Sequence, residues 1–225
     1  MSIQSDPSFY KSDYDRREND RYFTESACTK ALCDRLPYAI EGVVPRTVWE
    51  PACGRGDLAA VVKGEMAETV ICSDIDTSEF IPELFDSPSM GAFQIDFLGQ
   101  VCAFDPSFRP DAIITNPPYG DLAEAFARKW LKDYPDIPVM ALLLRQGFDN
   151  AKSRTDLFGD CPAFAGEIAL TWRPRWDWWL SDKALGPEAK KQGPRHNFSW
   201  FIWDRAHTGA PVKLYAGRPV CERKK

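Results

Sequence analysis

Short apolar runs alternate with amphipathic stretches along this chain, and the alternation lays out an order of elements. Thr24 or Ser26 is placed to cap a first helix running to about Leu36, where Pro37 ends it. Thr47–Glu50 reads as a short buried strand, broken by Pro51 and a glycine turn, with a helix over Leu58–Met66 behind it. Strands follow at Thr69–Ser73, which ends in Asp74, at Phe93–Ile95, and at Asp111–Thr115, which Pro117 and Pro118 stop. Asp121–Tyr134 has the period of an amphipathic helix, and Val139–Leu144 is apolar throughout, as a strand covered on both faces must be. Two strands near Ala165–Trp172 and Phe198–Trp203 then follow each other with no helix between them. Strands alternating with helices predict an α/β fold: a mostly parallel seven-stranded sheet with helices on both faces. The last two strands predict an antiparallel C-terminal hairpin on one edge.

Composition narrows this to a soluble globular chain. Its 225 residues, 44% apolar and 27% charged, suit one α/β domain. Residues 1–20 are polar and are expected to form a flexible N-terminal segment, with a single domain over 21–225. The longest strictly apolar run, Val139–Leu144, is far short of the roughly 18–20 residues of a membrane span. No apolar segment follows the first charges, which argues against a secretory signal. Seven cysteines, none in a C-x-x-C pair, and two histidines make a disulfide framework or a metal site a poor reading. His196 and His207 have no carboxylate or Cys neighbour at ligand spacing, and the cysteines, Cys53 included, read as small buried hydrophobes. The expectation is a reduced, cytoplasmic protein with no membrane partner.

The net charge of −5 argues weakly against a nucleic-acid partner. It conceals a division. Residues 1–140 carry 13 Lys and Arg against 24 Asp and Glu, a net −11, whereas residues 141–225 carry 15 against 9, a net +6.

Chemistry concentrates at the ends of the predicted strands. Glu50-Pro51-Ala52-Cys53-Gly54-Arg55-Gly56 lies between a strand and a helix, where glycine permits positive φ and close approach of backbone to a ligand. Asp74 ends the next strand, twenty residues beyond Gly54, where a carboxylate can accept from ribose hydroxyls. Asp96, beside Phe97, follows the third strand and is placed to accept from an adenine amino group; Asp76 reads instead as a turn former. Asn116-Pro117-Pro118-Tyr119 follows the fourth strand. The prolines fix the backbone and remove two donors, so that the Asn116 side-chain oxygen and the Pro117 carbonyl face a ligand as acceptors. That pair suits an exocyclic NH2 conjugated to a ring or carbonyl, and Tyr119 can stack on a planar substrate.

These motifs resemble those of the S-adenosylmethionine-dependent amino-methyltransferases, especially the DNA adenine-N6 type, over roughly residues 22–145, with a looser match near residue 198. Glu50–Gly56 looks like the family's cofactor loop, Asp74-Ile75-Asp76 like its ribose-binding acid and following helix start, and Asp96-Phe97-Leu98 like its adenine-binding motif. Asn116-Pro117-Pro118-Tyr119 looks like its catalytic loop, and Tyr22-Phe23-Thr24 is similar to the segment that holds the cofactor's methionine end. The resemblance implies a Rossmann-like class I methyltransferase fold, S-adenosyl-L-methionine as cofactor, and methyl transfer to the N6 amino group of adenine in DNA. The same loop also serves enzymes acting on RNA bases or on the glutamine amide of proteins. A catalytically silent subunit that binds cofactor or nucleic acid is the reading from outside the enzymes.

The basic half adds the substrate side. Six of the eight tryptophans lie between Trp172 and Trp203, interleaved with Arg173, Arg175, Lys183, Lys190, Lys191 and Arg195. Aromatic and basic residues together over 173–195 suit base stacking and phosphate contact, which favours DNA over protein as the partner. Trp200 and Trp203 flank a strand and read as core. Trp176, Trp178 and Trp179 fit either a substrate-facing loop or a homodimer interface. By the resemblance, Phe198 corresponds to an aromatic that sandwiches the flipped base opposite Tyr119. The chain has no room for a separate recognition domain, which leaves open short-site reading through loops, promiscuity, or a partner specificity subunit.

Overall fold

The computed structural model describes residues 23–104, 109–176 and 196–220. Within them the order is α1 (Ser26–Arg35), β1 (Thr47–Glu50), α2 (Asp57–Glu65), β2 (Thr69–Asp74), β3 (Ala92–Gln94), β4 (Ala112–Thr115), α3 (Asp121–Asp133), β5 (Val139–Arg145), β6 (Phe164–Leu170), β7 (Phe198–Asp204) and β8 (Val212–Ala216). All eight strands form one sheet in the order β3-β2-β1-β4-β5-β7-β6-β8. Strands β1 to β5 run parallel to one another, and β7 is antiparallel to both β5 and β6.

Strand β5 shows how the core divides. Val139, Ala141 and Leu143 pack with α1 and α2 on one face, and Met140, Leu142 and Leu144 pack with α3 on the other. An unbroken apolar run is what a strand between two helical layers requires. The period of two recurs in β1, where Val48 joins the first layer and Trp49 the second. Trp200 and Trp203 are fully buried, as their flanking of a strand indicates, and their indole N–H groups donate to the carbonyls of Cys28 (2.8 Å) and Leu157 (2.7 Å). Each buried donor is thereby satisfied.

Two sequence expectations are corrected. The sheet has eight strands rather than seven: β8 adds parallel to β6, at the edge beyond the hairpin. Its residues are mostly exposed, and a strand paired on one side only leaves a weak apolar signature. The close approach of β8 depends on Gly166, whose φ is +150° and where a Cβ would stand 2.1 Å from the Val212 carbonyl oxygen. The second correction concerns α1. Neither Thr24 nor Ser26 caps it; the N-cap position is Glu25, without a side-chain cap bond. Among the described residues, no helix is long and apolar enough to cross a membrane.

Candidate active site

The sheet order reverses between β1 and β4, so the connections leaving these two strands diverge and open a crevice at their carboxyl ends. The site residues read from the sequence lie around that crevice.

On the β1 side, the turn is shaped by Gly54 at φ +49° and Gly56 at φ +91°. At Gly56 the requirement is also steric, since a Cβ there would stand 2.9 Å from the Phe80 ring. Asp74 holds the turn from below. Its carboxylate accepts from the Gly54 N–H at 2.8 Å and from the Asp76 N–H at 3.0 Å. Asp76 in turn accepts from the Ser78 N–H at 2.9 Å, the turn-forming role read for it. Glu50 lies buried at the start of the turn, and its Oε2 has no hydrogen-bond partner. Burial, with further repulsion from Cys53 and Asp74, pushes its carboxyl well above the usual carboxylate range. Asp57, one residue beyond the turn, is raised to about 6 by burial, opposed by Arg55, whose Nε lies 3.4 Å away.

Asp96 is exposed, and its Oδ1 accepts from the Leu98 and Gly99 N–H groups at 3.0 Å each. Phe97 turns the opposite way. Its ring is 3% exposed and packs against Phe126 (4.5 Å between centroids), Trp49 (5.2 Å) and Tyr134 (5.7 Å), so that side chain belongs to the core.

On the β4 side, the Asn116 carboxamide is fixed at both ends. Its Nδ2 donates to Thr24 Oγ1 at 3.2 Å, and its Oδ1 accepts from the Tyr119 hydroxyl at 3.1 Å. Thr24 therefore serves the Asn-Pro-Pro-Tyr loop rather than the start of α1. The preceding Phe23 lies against the glycine turn, 3.7 Å from where a Gly54 Cβ would stand, and Arg55 sits over its ring. One short segment thus touches both sides of the crevice; Tyr22 lies outside the described residues.

Tyr119, Phe198 and Trp176 form a ring cluster beside this loop, with centroid separations of 5.8 Å for Tyr119–Phe198, 4.8 Å for Trp176–Phe198 and 6.2 Å for Tyr119–Trp176. A base stacked between two rings needs about 7 Å, two contacts of roughly 3.5 Å. Tyr119 and Phe198, tilted 47° to each other, touch directly and leave no such gap. Arg145, which sequence reasoning passed over, places its guanidinium 5.9 Å from the Tyr119 ring centroid. Its only sequence signal is a cation ending an apolar strand. Arg173 donates from Nε to Asn197 Oδ1 at 3.1 Å, and the Arg175 backbone N–H donates to buried Glu25 at 3.2 Å. The rest of the Trp-rich stretch, including Trp178, Trp179, Lys183, Lys190, Lys191 and Arg195, lies outside the described residues.

The described cysteines are mostly buried. Cys28, Cys33, Cys53 and Cys72 are buried, and hydrogen bonding with Cys72 together with burial raises the Cys53 thiol. His207 Nδ1 lies 3.2 Å from Glu41 Oε1. Among the described residues, no three His, Cys, Asp or Glu side chains are grouped to hold a metal ion.

No protein-family model matches this sequence, and no curated protein matches it. Solved structures do match in shape. The methyltransferase subunit of a type I restriction-modification system from Streptococcus thermophilus aligns at TM-score 0.57 and 16% identity, over 84% of this chain and 47% of that one. A Listeria monocytogenes protein assigned to the class I S-adenosylmethionine-dependent methyltransferases aligns at 0.53 and 17%, over 87% and 65%. A protein from Pyrococcus horikoshii assigned as an RNA methyltransferase aligns at 0.55 and 17%, over 82% and 86%. The chain thus spans about half the length of the first and under two thirds of the second. At these identities the likeness defines the fold alone: a Rossmann-like α/β sheet of the kind those methyltransferases share, with β8 beyond the expected seven strands.

Proposed function

We propose that this chain is an S-adenosylmethionine-dependent methyltransferase acting on the exocyclic N6 amino group of adenine in DNA. The observation that carries the reading is Asn116, held between Thr24 and Tyr119 at the carboxyl end of β4, across the sheet's switch point from the glycine turn. The residues present fit the cofactor. The buried, unpartnered Oε2 of Glu50 and the Asp74 carboxylate at the turn offer acceptors to ammonium and hydroxyl groups, and exposed Asp96 offers one to an amino group. Glu50, Gly54, Gly56, Asp74 and Asp96 would hold it, with Thr24 and Asn116 at the crevice and Phe97 backing it from the core.

When bound, S-adenosylmethionine supplies a methyl group already activated on a cationic sulfur. The chain's own residues then have three tasks. Asn116 Oδ1 and the Pro117 carbonyl accept from the amino group, drawing its nitrogen toward tetrahedral geometry. The same two oxygens stabilise positive charge developing on that nitrogen. Pro118 keeps the loop stiff, and the Tyr119 ring supports a planar base after it leaves the helical stack. No strong base is needed, because the nitrogen's proton becomes acidic once the methyl has arrived, and water can take it. Phe198, Arg173 and Arg175 complete the substrate side, the charged pair facing a polyanion.

The test offers radiolabelled S-adenosylmethionine to DNA, RNA and protein pools, with Asn116→Ala as control. Label is expected in DNA as N6-methyladenine and is expected to vanish in the variant. Absence of transfer to any pool would sink the enzyme reading in favour of a binding subunit. Label in RNA or protein alone would move the substrate.

A further inference from the structure

Arginines on this chain's described surface are mostly matched to acids. Arg46 pairs with Glu68, Arg55 with Asp57, Arg109 with Asp136, Arg128 with Glu124 and Asp156, Arg154 with Glu124, and Arg218 with Glu25. In a protein of net charge −5, carboxylates are plentiful and such pairing is the ordinary outcome. Arg35, Arg145, Arg173 and Arg205 depart from it: Arg35 lies at the far end of α1, Arg205 is spent on the backbone carbonyls of Trp130, Leu131, Tyr134 and Ile137, and only Arg145 and Arg173 lie beside the candidate site. Both are exposed, and among the described residues neither has a carboxylate within ion-pair distance.

The two are placed by one piece of backbone. Arg145 ends β5 directly opposite Phe198, the first residue of β7. Asn197, one residue earlier, accepts from the Gln146 N–H through its carbonyl at 3.0 Å and from Arg173 Nε through its side chain at 3.1 Å. Asn197 therefore holds Arg173 through a neutral amide, which orients the guanidinium without neutralising it. The Arg145 guanidinium lies 5.9 Å from the Tyr119 ring centroid. Two uncompensated forks thus flank the start of β7, beside the rings of Tyr119 and Phe198. Planar guanidinium groups bind phosphate oxygens through paired N–H donors, and near a low-dielectric aromatic surface their field is screened less than in open water.

We propose that Arg145 and Arg173 form a phosphate clamp that grips the phosphodiester backbone next to the base presented to Asn116. This rests on the function proposed above and deepens it: the substrate is held as part of a nucleic-acid chain, with Arg145 on the Tyr119 side and Arg173 beyond Asn197. The amide of a protein substrate brings no anion of its own to these two cations, whereas every nucleotide brings a phosphate.

The clamp is tested by fluorescence-anisotropy titration of a labelled single-stranded oligodeoxynucleotide over about 50–200 mM salt. Proteins are the wild type, Arg145→Ala, Arg173→Ala, the double variant, Arg145→Lys, Arg35→Ala and Asn116→Ala. Each rim variant is expected to weaken binding roughly tenfold. Each should also lower the slope of log K against log salt by about 0.7, and the double variant by about twice that. Arg145→Lys should keep the slope while losing part of the affinity, since charge remains and the fork is gone. Arg35, exposed at the far end of α1 and about 13 Å along it from Ser26, removes the same charge elsewhere and should leave binding unchanged. Asn116→Ala, which removes a hydrogen bond to the base but no charge, should keep the wild-type slope. Wild-type affinity and slope in both rim variants would overturn the clamp, as would an equal loss in Arg35→Ala. Methyl transfer is scored separately. If DNA is methylated while the rim variants keep the wild-type slope, the clamp falls and the function stands. If the rim variants lose slope and no pool is methylated, the clamp stands and the transferase reading falls. A wild type that binds no oligonucleotide overturns both.

Discussion

The two sides of the crevice use opposite materials. At the ends of β1, β2 and β3 the groups are carboxylates and backbone N–H donors: Glu50, Asp74 and Asp96 around a turn bent at Gly54 and Gly56. At the ends of β4 and β5 and the start of β7 they are a carboxamide, rings and guanidinium groups: Asn116, Tyr119, Phe198, Arg145 and Arg173. The first side is held in place chiefly by main chain and offers acceptors. The second is held by side chains and offers stacking and positive charge. Acidic groups from the first half of the chain and the cations Arg145 and Arg173 from the second half thus share one end of the sheet, a division that the overall −5 conceals.

That contrast can be broken selectively. Asn116→Ala should lower methyl transfer by about 100-fold or more, the scale seen when one group stabilising transition-state charge is removed. Oligonucleotide binding should persist, and parallel loss of both in paired assays would erase the distinction between chemistry and grip. Asp74→Ala removes the acceptor of two backbone N–H groups and should weaken S-adenosylmethionine binding by tenfold or somewhat more, as for bonds to a charged acceptor. Calorimetric titration would show this, with nucleic-acid affinity unaltered. Tyr119→Phe keeps the ring but drops the hydroxyl that donates to Asn116 Oδ1; a fall of about fivefold in kcat is expected with KM for DNA unchanged. A KM effect instead would mean that the hydroxyl serves the substrate and not Asn116.

The smallest effect is on stability. Burial raises the Asp57 carboxyl from 3.8 to about 6, so the folded state holds this proton more tightly than the unfolded chain. Its contribution therefore favours the folded state at low pH and is lost as pH rises through about 4 to 6. Asp57→Asn should flatten Tm against pH in that window and raise Tm near neutrality by a few degrees. Glu50, raised by burial in the same direction, adds to the same slope. A Tm gain of Asp57→Asn over the wild type that fails to grow from pH 4 to 7 by differential scanning fluorimetry would contradict the sign.

Most of this arrangement was legible where a motif and a buried strand coincide. Asn116 and the glycine turn sit at strand ends because apolar runs stop there, and both signals are local. Residues whose partners lie far away in sequence were harder to read. Thr24 looked like a helix cap, yet its hydroxyl meets Asn116, 92 positions on. Phe97 stood next to an exposed acid and still turned into the core, because Trp49 from β1 and Phe126 and Tyr134 from α3 and its C-terminal end converge on it. Arg145 carried no motif, and only the pairing of β5 with β7 brings it beside Phe198. Strand β8 escaped because its exposed residues lack the alternation that half-burial imposes.

That last strand depends on a hydrogen atom. Val212 can lie along β6 only because residue 166 carries hydrogen where any other amino acid has carbon, and the carbon would overlap the Val212 carbonyl. Adding a side chain at 166 would peel away 212–216 and leave β6 as a bare edge, with its unpaired amides open to another molecule. The outermost strand is in this sense a removable cover, and residue 166 is its latch.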